Sequence, residues 1–65
     1  MTTAAELKPG QSAFDHDFPE RARYVHSVEE TADGEVVVRW GHPDQEPESA
    51  DTVAADKGYE LIRAD

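Results

Sequence analysis

The strongest pattern in the chain is a pair of strand-like segments in its middle. Residues 21–30 (RARYVHSVEE) alternate between polar and apolar side chains, and residues 35–40 (EVVVRW) are rich in valine and end on the single tryptophan. An Asp-Gly pair lies between them, and such a pair between two strand-like segments is a strong hairpin signal. The pattern therefore predicts an antiparallel β-hairpin in the middle of the chain.

The register of this hairpin decides which side chains face the core. A three-residue loop over residues 32–34, with Gly34 in the left-handed region, places Thr31 opposite Glu35. A two-residue loop shifts the pairing by one residue and separates the larger apolar side chains. We therefore predict the three-residue loop, with an inner face of Tyr24, His26, Val28, Val36, Val38 and Trp40. The predicted outer face carries Arg23, Val25, Ser27, Glu29, Val37 and Arg39.

Shorter segments complete the predicted organisation. Residues 1–9 are expected to be a flexible N-terminal arm, because Pro9-Gly10 interrupts regular structure. Three further short strands are predicted, at residues 11–14, 49–53 and 59–62. A single helical or 3-10 turn at residues 54–57 is predicted to precede the last strand. The chain is thus expected to form one small β-domain over residues 10–63, followed by a C-terminal tail at residues 64–65.

Three segments resemble an SH3-like small β-barrel of the Tudor/KOW kind: LKPGQ at residues 7–11, DGEVVVRW at residues 33–40 and VAADKGYELI at residues 53–62. The resemblance covers residues 7–63 and implies a mostly β, five-stranded barrel with a short helical or 3-10 turn before the last strand. Such domains mostly act as binding modules or accessory subunits, so the resemblance implies a binding role. An OB-like barrel with the same central hairpin is an open alternative.

Charge narrows the possible partners. The chain carries 15 Asp and Glu against 6 Lys and Arg, a formal net charge of −9. That balance argues against direct binding to nucleic acid or to an anionic membrane, both of which need clustered cations. The acids are spread along the chain, as on a solvated surface, and the Lys-poor, Ala- and Val-rich composition is typical of salt-loving archaea or high-GC bacteria and phages. Without a signal sequence or a spanning segment, a cytoplasmic location is expected.

The candidate chemistry is sparse. With no cysteine, the chain has no disulfide or thiolate chemistry. The DHD segment at residues 15–17, with His42 and Asp44, offers metal-ligand types, but adjacent residues in extended chain point in opposite directions. We therefore predict two polar loops, no metal and no cofactor. No serine, histidine or carboxylate pattern indicates catalysis, and His26 is expected to be half-buried and hydrogen-bonded.

The predicted function is a small acidic interaction or accessory protein that binds another protein. Its contact surface is predicted on the outer hairpin face and its edges: Arg23, Val25, Val37, Arg39, Phe18 and His42. The partner is expected to be a protein, and the two candidates are a basic protein and, because the core is small, a second copy of the chain. The alternative is a DNA-mimic inhibitor of a basic nucleic-acid-binding protein, which requires the acids of residues 29–35 and 44–51 to form one stripe.

Overall fold

The computed structural model of the protein describes residues 2–62. These residues form six β-strands and one short 3-10 helix, and the strands join in a single antiparallel sheet. In chain order the elements are β1 (Thr2–Thr3), the 3-10 helix (Ala4–Glu6), β2 (Ser12–Asp15), β3 (Arg23–Ala32), β4 (Glu35–Trp40), β5 (Ser49–Ala54) and β6 (Gly58–Ile62). Across the sheet the strand order is β1-β6-β2-β3-β4-β5. The prediction of a mostly β fold is confirmed.

The sheet differs from the predicted five-stranded barrel in three respects. It has six strands in the described residues, and it is not closed, because β5 pairs only with β4 and β1 only with β6. The segment before the last strand is a hydrogen-bonded turn, in which the Lys57 N–H donates to the Ala54 oxygen (3.0 Å), whereas the 3-10 helix lies at Ala4–Glu6. Among the described residues, the backbone comes close to the free side of β5 only just after its last residue, where the Ala5 N–H donates to the Ala55 oxygen (3.1 Å).

The predicted flexible arm is instead part of the fold from residue 2 onward. β1 pairs with β6, and the Ala4 N–H donates to the Lys57 oxygen at 2.9 Å. Ala4 and Leu7 are buried, so this segment gains hydrophobic contact by docking against the sheet. Glu6 accepts hydrogen bonds from the Thr3 backbone N–H (2.9 Å) and hydroxyl (3.0 Å), which lower the pKa of its carboxyl. The predicted tail at residues 64–65 lies outside the described residues.

The central hairpin is confirmed, and two of its pairs match the predicted register: Val28 with Val38 and Glu30 with Val36. At the tip the loop has two residues, because Ala32 pairs with Glu35. Thr31 forms a β-bulge that takes up the extra residue, so the predicted three-residue loop is wrong. Gly34 has a φ of +78°, the left-handed conformation that such a tight turn requires.

A second bulge, at His26, changes which residues face the core at the start of β3. Val25 lies opposite Trp40, the position predicted for His26, and Val25 is fully buried. His26 is half-buried: its Nε2 donates to the Gln45 carbonyl oxygen (2.9 Å), and its Nδ1 lies 3.0 Å from the Ser27 hydroxyl. The expectation of a half-buried, hydrogen-bonded histidine is confirmed, whereas its place opposite Trp40 is wrong.

The core lies on the inner face of the curved sheet. Its buried residues are Ala4, Leu7, Ala13, Val25, Val36, Val38, Trp40 and Tyr59. The rings of Trp40 and Tyr59 pack with centroids 5.6 Å apart and planes at 54°. Tyr24, predicted for the inner face, is 57% exposed because the His26 bulge reverses the alternation there. Over residues 2–62, no helix is long and apolar enough to cross a membrane.

Candidate functional site

The open side of the sheet contains two neighbouring clefts that share Arg23. We call them together the edge groove; one side is formed by residues 48–53 and the other by residues 15–24. The first cleft has a volume of about 280 Å³ and ends at Lys57 and Tyr59. The second, of about 400 Å³, reaches Trp40 and His42. The edge groove therefore follows β5 along most of its length.

Arg23 occupies the centre of the edge groove. Its guanidinium carbon lies 4.1 Å from the centroid of the Trp40 ring, in cation–π geometry. Asp51 holds both partners: its Oδ2 lies 3.6 Å from Arg23 Nη2 and accepts a hydrogen bond from Trp40 Nε1 at 2.9 Å. Arg23 Nε is buried and has no hydrogen-bond partner among the described residues. One donor of a fixed guanidinium is therefore left unsatisfied inside the groove wall.

An ion pair closes the far end of the first cleft. Lys57 Nζ lies 2.9 Å from Asp15 Oδ2, and both side chains are mostly shielded from solvent. The Lys57 ammonium, and after it the Asp17 N–H, hold the pKa of the Asp15 carboxyl below its usual range, while Asp15 raises the pKa of Lys57. Burial raises the pKa of the neighbouring Tyr59 phenol. At neutral pH this end of the cleft therefore presents a charged pair and a protonated hydroxyl.

The first cleft concentrates positive charge on a strongly acidic molecule. Arg21, Arg23 and Lys57 line it, which is three of the six Lys and Arg in the chain. Two carboxylates, Asp15 and Asp51, also line it, and each forms an ion pair with one of these cations. Arg21 forms no ion pair with any described residue. The cleft therefore has an excess of one positive charge, although the chain as a whole carries −9.

β5 borders this groove as an edge strand. The Ala55 N–H donates to the Gly34 oxygen at 2.7 Å, and ladder bonds in an antiparallel pair recur at every second residue. The alternation places the ladder bonds to β4 at Val53, Asp51 and Ser49. The backbone N–H and C=O groups of Ala50 and Thr52 consequently point away from β4, and no described strand pairs with them. These groups are free to bond an added chain.

Three of the predicted contact residues meet at the edge groove. Arg23 lines both clefts, Phe18 lines the first cleft with 49% of its surface exposed, and His42 lines the second. The His42 ring packs edge-on against Tyr24, with ring centroids 6.4 Å apart. The sequence pattern groups these three residues at the outer hairpin face and its edges, whereas in the structure they line the edge groove.

The other three predicted contact residues lie elsewhere. Val25 is fully buried in the core, so it cannot contribute to a surface. Val37 and Arg39 alternate with the buried residues of β4 and therefore lie on the outer face, where Arg39 Nη1 pairs with Glu29 Oε1 at 2.9 Å. The His26 bulge separates Arg23 from this face. The predicted surface of Arg23, Val25, Val37 and Arg39 is therefore wrong as a single contiguous patch.

The DHD segment is divided among separate partners. Asp15 pairs with Lys57, and His16 Nδ1 lies 3.3 Å from Glu60 Oε2. His42 lies 3.9 Å from Asp44 and apart from this segment. Within residues 2–62 there is no group of three or more His, Asp or Glu arranged to hold a metal ion. The residues of the first cleft that were not among the predicted contact residues are Arg21, Asp51, Thr52, Lys57 and Tyr59, which come together only through the pairing of distant strands.

The edge groove offers unpaired backbone donors and acceptors on β5, an excess of positive charge in its first cleft, and exposed aromatic surface at Phe18 and Tyr24. The two carboxylates of its first cleft, Asp15 and Asp51, are held in ion pairs by the neighbouring cations. Free backbone groups, local charge and exposed aromatic rings bind ligands through geometry and charge. Comparisons of the chain with protein-family models, with curated proteins and with solved structures found no match.

Proposed function

We propose that this protein is a non-enzymatic interaction module that binds a segment of another protein in the edge groove. The observation that carries the proposal is the unpaired edge of β5 beside a cleft in which half of the chain's cations converge. Proteins usually protect edge strands with charged side chains or covering segments. β5 has small side chains and a single charge, Asp51, which is already held by Arg23 and Trp40.

The net charge selects the kind of partner protein. At −9, the molecule repels other acidic proteins at long range and attracts basic ones. The excess of one positive charge in the first cleft acts only at short range, because at larger distances the net charge of −9 outweighs it and salt screens it beyond about 10 Å. A partner that is basic overall is attracted by the net charge, and a segment of it that is complementary to the first cleft is attracted by the positive charge there. This supports the expected basic protein partner.

The sheet connectivity supports the resemblance to SH3-like small barrels. β2 to β5 form a meander and β6 returns beside β2, so these five strands follow an order that a small barrel can adopt, while the sheet stays open between β5 and β6. A strand bound along β5 would cover this opening. We assign the binding role that the resemblance implies to the edge groove.

Selection from phage-displayed random peptides on the immobilised protein tests the proposal. The groove variant is Arg21→Glu and its matched control is Arg39→Glu, the same charge change on the outer face. We expect selected peptides to bind the wild type and Arg39→Glu equally, and to bind Arg21→Glu at least about tenfold more weakly. Failure to enrich any peptide overturns the proposal. So does a larger loss with Arg39→Glu, which would return the site to the outer face.

The DNA-mimic alternative stays a prediction. It requires one stripe of acids, whereas residues 29–35 surround the β3–β4 tip and residues 44–48 lie in the β4–β5 loop, at opposite ends of β4. Asp51, the last acid of the proposed stripe, is engaged by Arg23 and Trp40. Salt-sensitive binding to a purified basic DNA-binding protein, undiminished by Arg21→Glu, would favour this alternative over the edge groove.

A further inference from the structure

We infer that the segment bound in the edge groove is an extended strand that adds to β5 and places one carboxylate side chain in the first cleft. The inference rests on the proposed function and names the ligand class of the same site. It follows from three features: the spacing of the free backbone groups on β5, the face to which an added strand directs its side chains, and the charge of the first cleft.

The free edge of β5 fits a short added strand. Ala50 and Thr52 each present one N–H and one C=O outward, at the two-residue spacing of a β-ladder. The site has a defined end, because the Ala5 N–H already bonds to the Ala55 oxygen. An added strand therefore pairs alongside residues 48–53. A polyproline helix repeats every three residues and does not match this spacing.

The pleat of the sheet then fixes where the ligand side chains go. Residues opposite Ala50 and Thr52 share their outer face, whereas residues opposite Ser49, Asp51 and Val53 direct their side chains to the inner face. The inner face holds the two clefts. Val53 and Asp51 line the first cleft, and Ser49 lines the second. Alternate side chains of the ligand therefore enter the edge groove.

Charge assigns the position of the carboxylate. The first cleft is lined by Arg21, which forms no ion pair among the described residues, and by Arg23, which shares its only ion-pair partner, Asp51, with the Trp40 indole. Opposite Asp51, a ligand carboxylate would face another carboxylate, and like charges directly across a ladder are destabilising. Opposite Val53 it faces an apolar neighbour while remaining in the same cleft. The carboxylate therefore belongs opposite Val53.

The second cleft determines which kind of ligand side chain fits opposite Ser49. Ala22 and Tyr24 line it on one side, and the ligand residue opposite Ser49 reaches it from the other. Since Glu48 also lines this cleft, a second carboxylate there would be repelled, and an apolar side chain fits. The ligand motif is thus an apolar residue and an acidic residue four positions apart in an extended segment. The remaining residues are neutral or basic, because the molecule carries −9.

The sequences of the selected peptides provide the first test. We expect them to share one Asp or Glu and, four positions away, an apolar residue, without enrichment in proline. In synthetic versions, replacing the shared acid by its amide should weaken binding by about tenfold. Replacing it by lysine should abolish binding to the wild type and restore it to Arg21→Glu. Equal binding of the acid and amide peptides would overturn the carboxylate assignment.

Strand pairing is tested separately. Methylating the peptide backbone at the nitrogens that face β5 should abolish binding, and peptide addition should slow amide exchange at Ala50 and Thr52. In the protein, Thr52→Pro removes an outward N–H, whereas Thr52→Val keeps it, so only Thr52→Pro should lose binding. If methylated peptides bind as well as unmethylated ones and Arg21→Glu still weakens binding, strand addition is wrong and the proposed function stands. If no peptide is enriched, both are wrong.

Discussion

Arg23 covers the core on the open side of the sheet, where no strand covers it. Its guanidinium covers the Trp40 ring at 4.1 Å, and Asp51 holds it there while also accepting the Trp40 indole N–H. A long polar side chain thus closes the core where no strand does, since its aliphatic part and its charge both find partners. The same side chain forms the wall shared by the two clefts.

Removing this cover should destabilise the protein measurably. We expect Arg23→Ala to lower the free energy of unfolding by about 1–2 kcal/mol, because the cation–π contact is lost and Trp40 becomes exposed. Urea unfolding followed by the fluorescence of Trp40, the single tryptophan, measures the change. Arg39→Ala is the control: its pair with Glu29 is on the outer face and should contribute under about 1 kcal/mol. Equal losses in the two variants would contradict this role for Arg23.

The Asp15–Lys57 pair predicts a specific dependence on pH. Because the hydrogen bond from Lys57 lowers the pKa of Asp15 below its ordinary value of 3.8, the pair contributes stability above that value. This contribution is lost as the pH falls through the lowered pKa in the folded state. Asp15→Asn should therefore be less stable than the wild type at neutral pH, by about 1 kcal/mol, and equally stable in acid.

Urea titrations across the acid range measure this difference, and the Lys57→Met background is the control. Without Lys57 the main cause of the lowered pKa is gone, so Asp15→Asn should produce a smaller, flatter difference there. Asparagine keeps an oxygen that can accept the Asp17 N–H, which makes the substitution specific for charge. A wild-type advantage that persists unchanged in acid would assign the effect to packing.

At the scale of elements, the central hairpin was predictable and its bulges were not. The Val-rich segment and the Asp-Gly pair carry strong local signals, so β3, β4 and the pairing at their centre follow from the sequence. The bulges at His26 and Thr31 involve residues that also fit a regular strand, and no glycine marks them. The bulge at His26 turns Val25 and Arg23 to the inner face of the sheet, so the predicted outer surface does not form as one patch.

The edge groove escaped prediction for a related reason. Arg21, Asp51 and Lys57 come from three separate segments, and only the pairing order of the strands brings them together. Local patterns carry no information about which strand ends at the sheet edge. The docking of residues 2–7 was missed because short, weakly patterned segments gain their stability from tertiary contact.

The position of β5 at the edge makes a prediction about its amide protons. In the free protein, the N–H groups of Asp51 and Val53 bond to β4 and should exchange slowly, whereas those of Ala50 and Thr52 should exchange rapidly. Hydrogen exchange followed by NMR on the free protein measures all four. Equal protection of the four amides at a dilution where the protein is monomeric would contradict an open edge. Protection of Ala50 and Thr52 that appears only at high concentration would indicate pairing of two copies through β5.

At the scale of the whole molecule, electrostatic repulsion counteracts the stability that the small core provides. Eight buried residues form the core within residues 2–62, while the acidic side chains of a 65-residue chain with a net charge of −9 repel one another. Only three ion pairs between the described residues join Lys or Arg to a carboxylate, so most of the acids are uncompensated. Self-repulsion of this kind destabilises a compact state and is weakened by salt.

We therefore expect potassium chloride to raise the melting temperature, by about 5 °C or more for each kcal/mol of repulsion that it screens. Thermal unfolding by circular dichroism in dilute buffer and in concentrated salt measures the shift. Because screening also weakens the contacts of Arg21 with a ligand carboxylate, peptide binding should fall over the same salt range in which stability rises. Stability and binding that increase together with salt would show that apolar contact, rather than charge, holds the ligand in the edge groove.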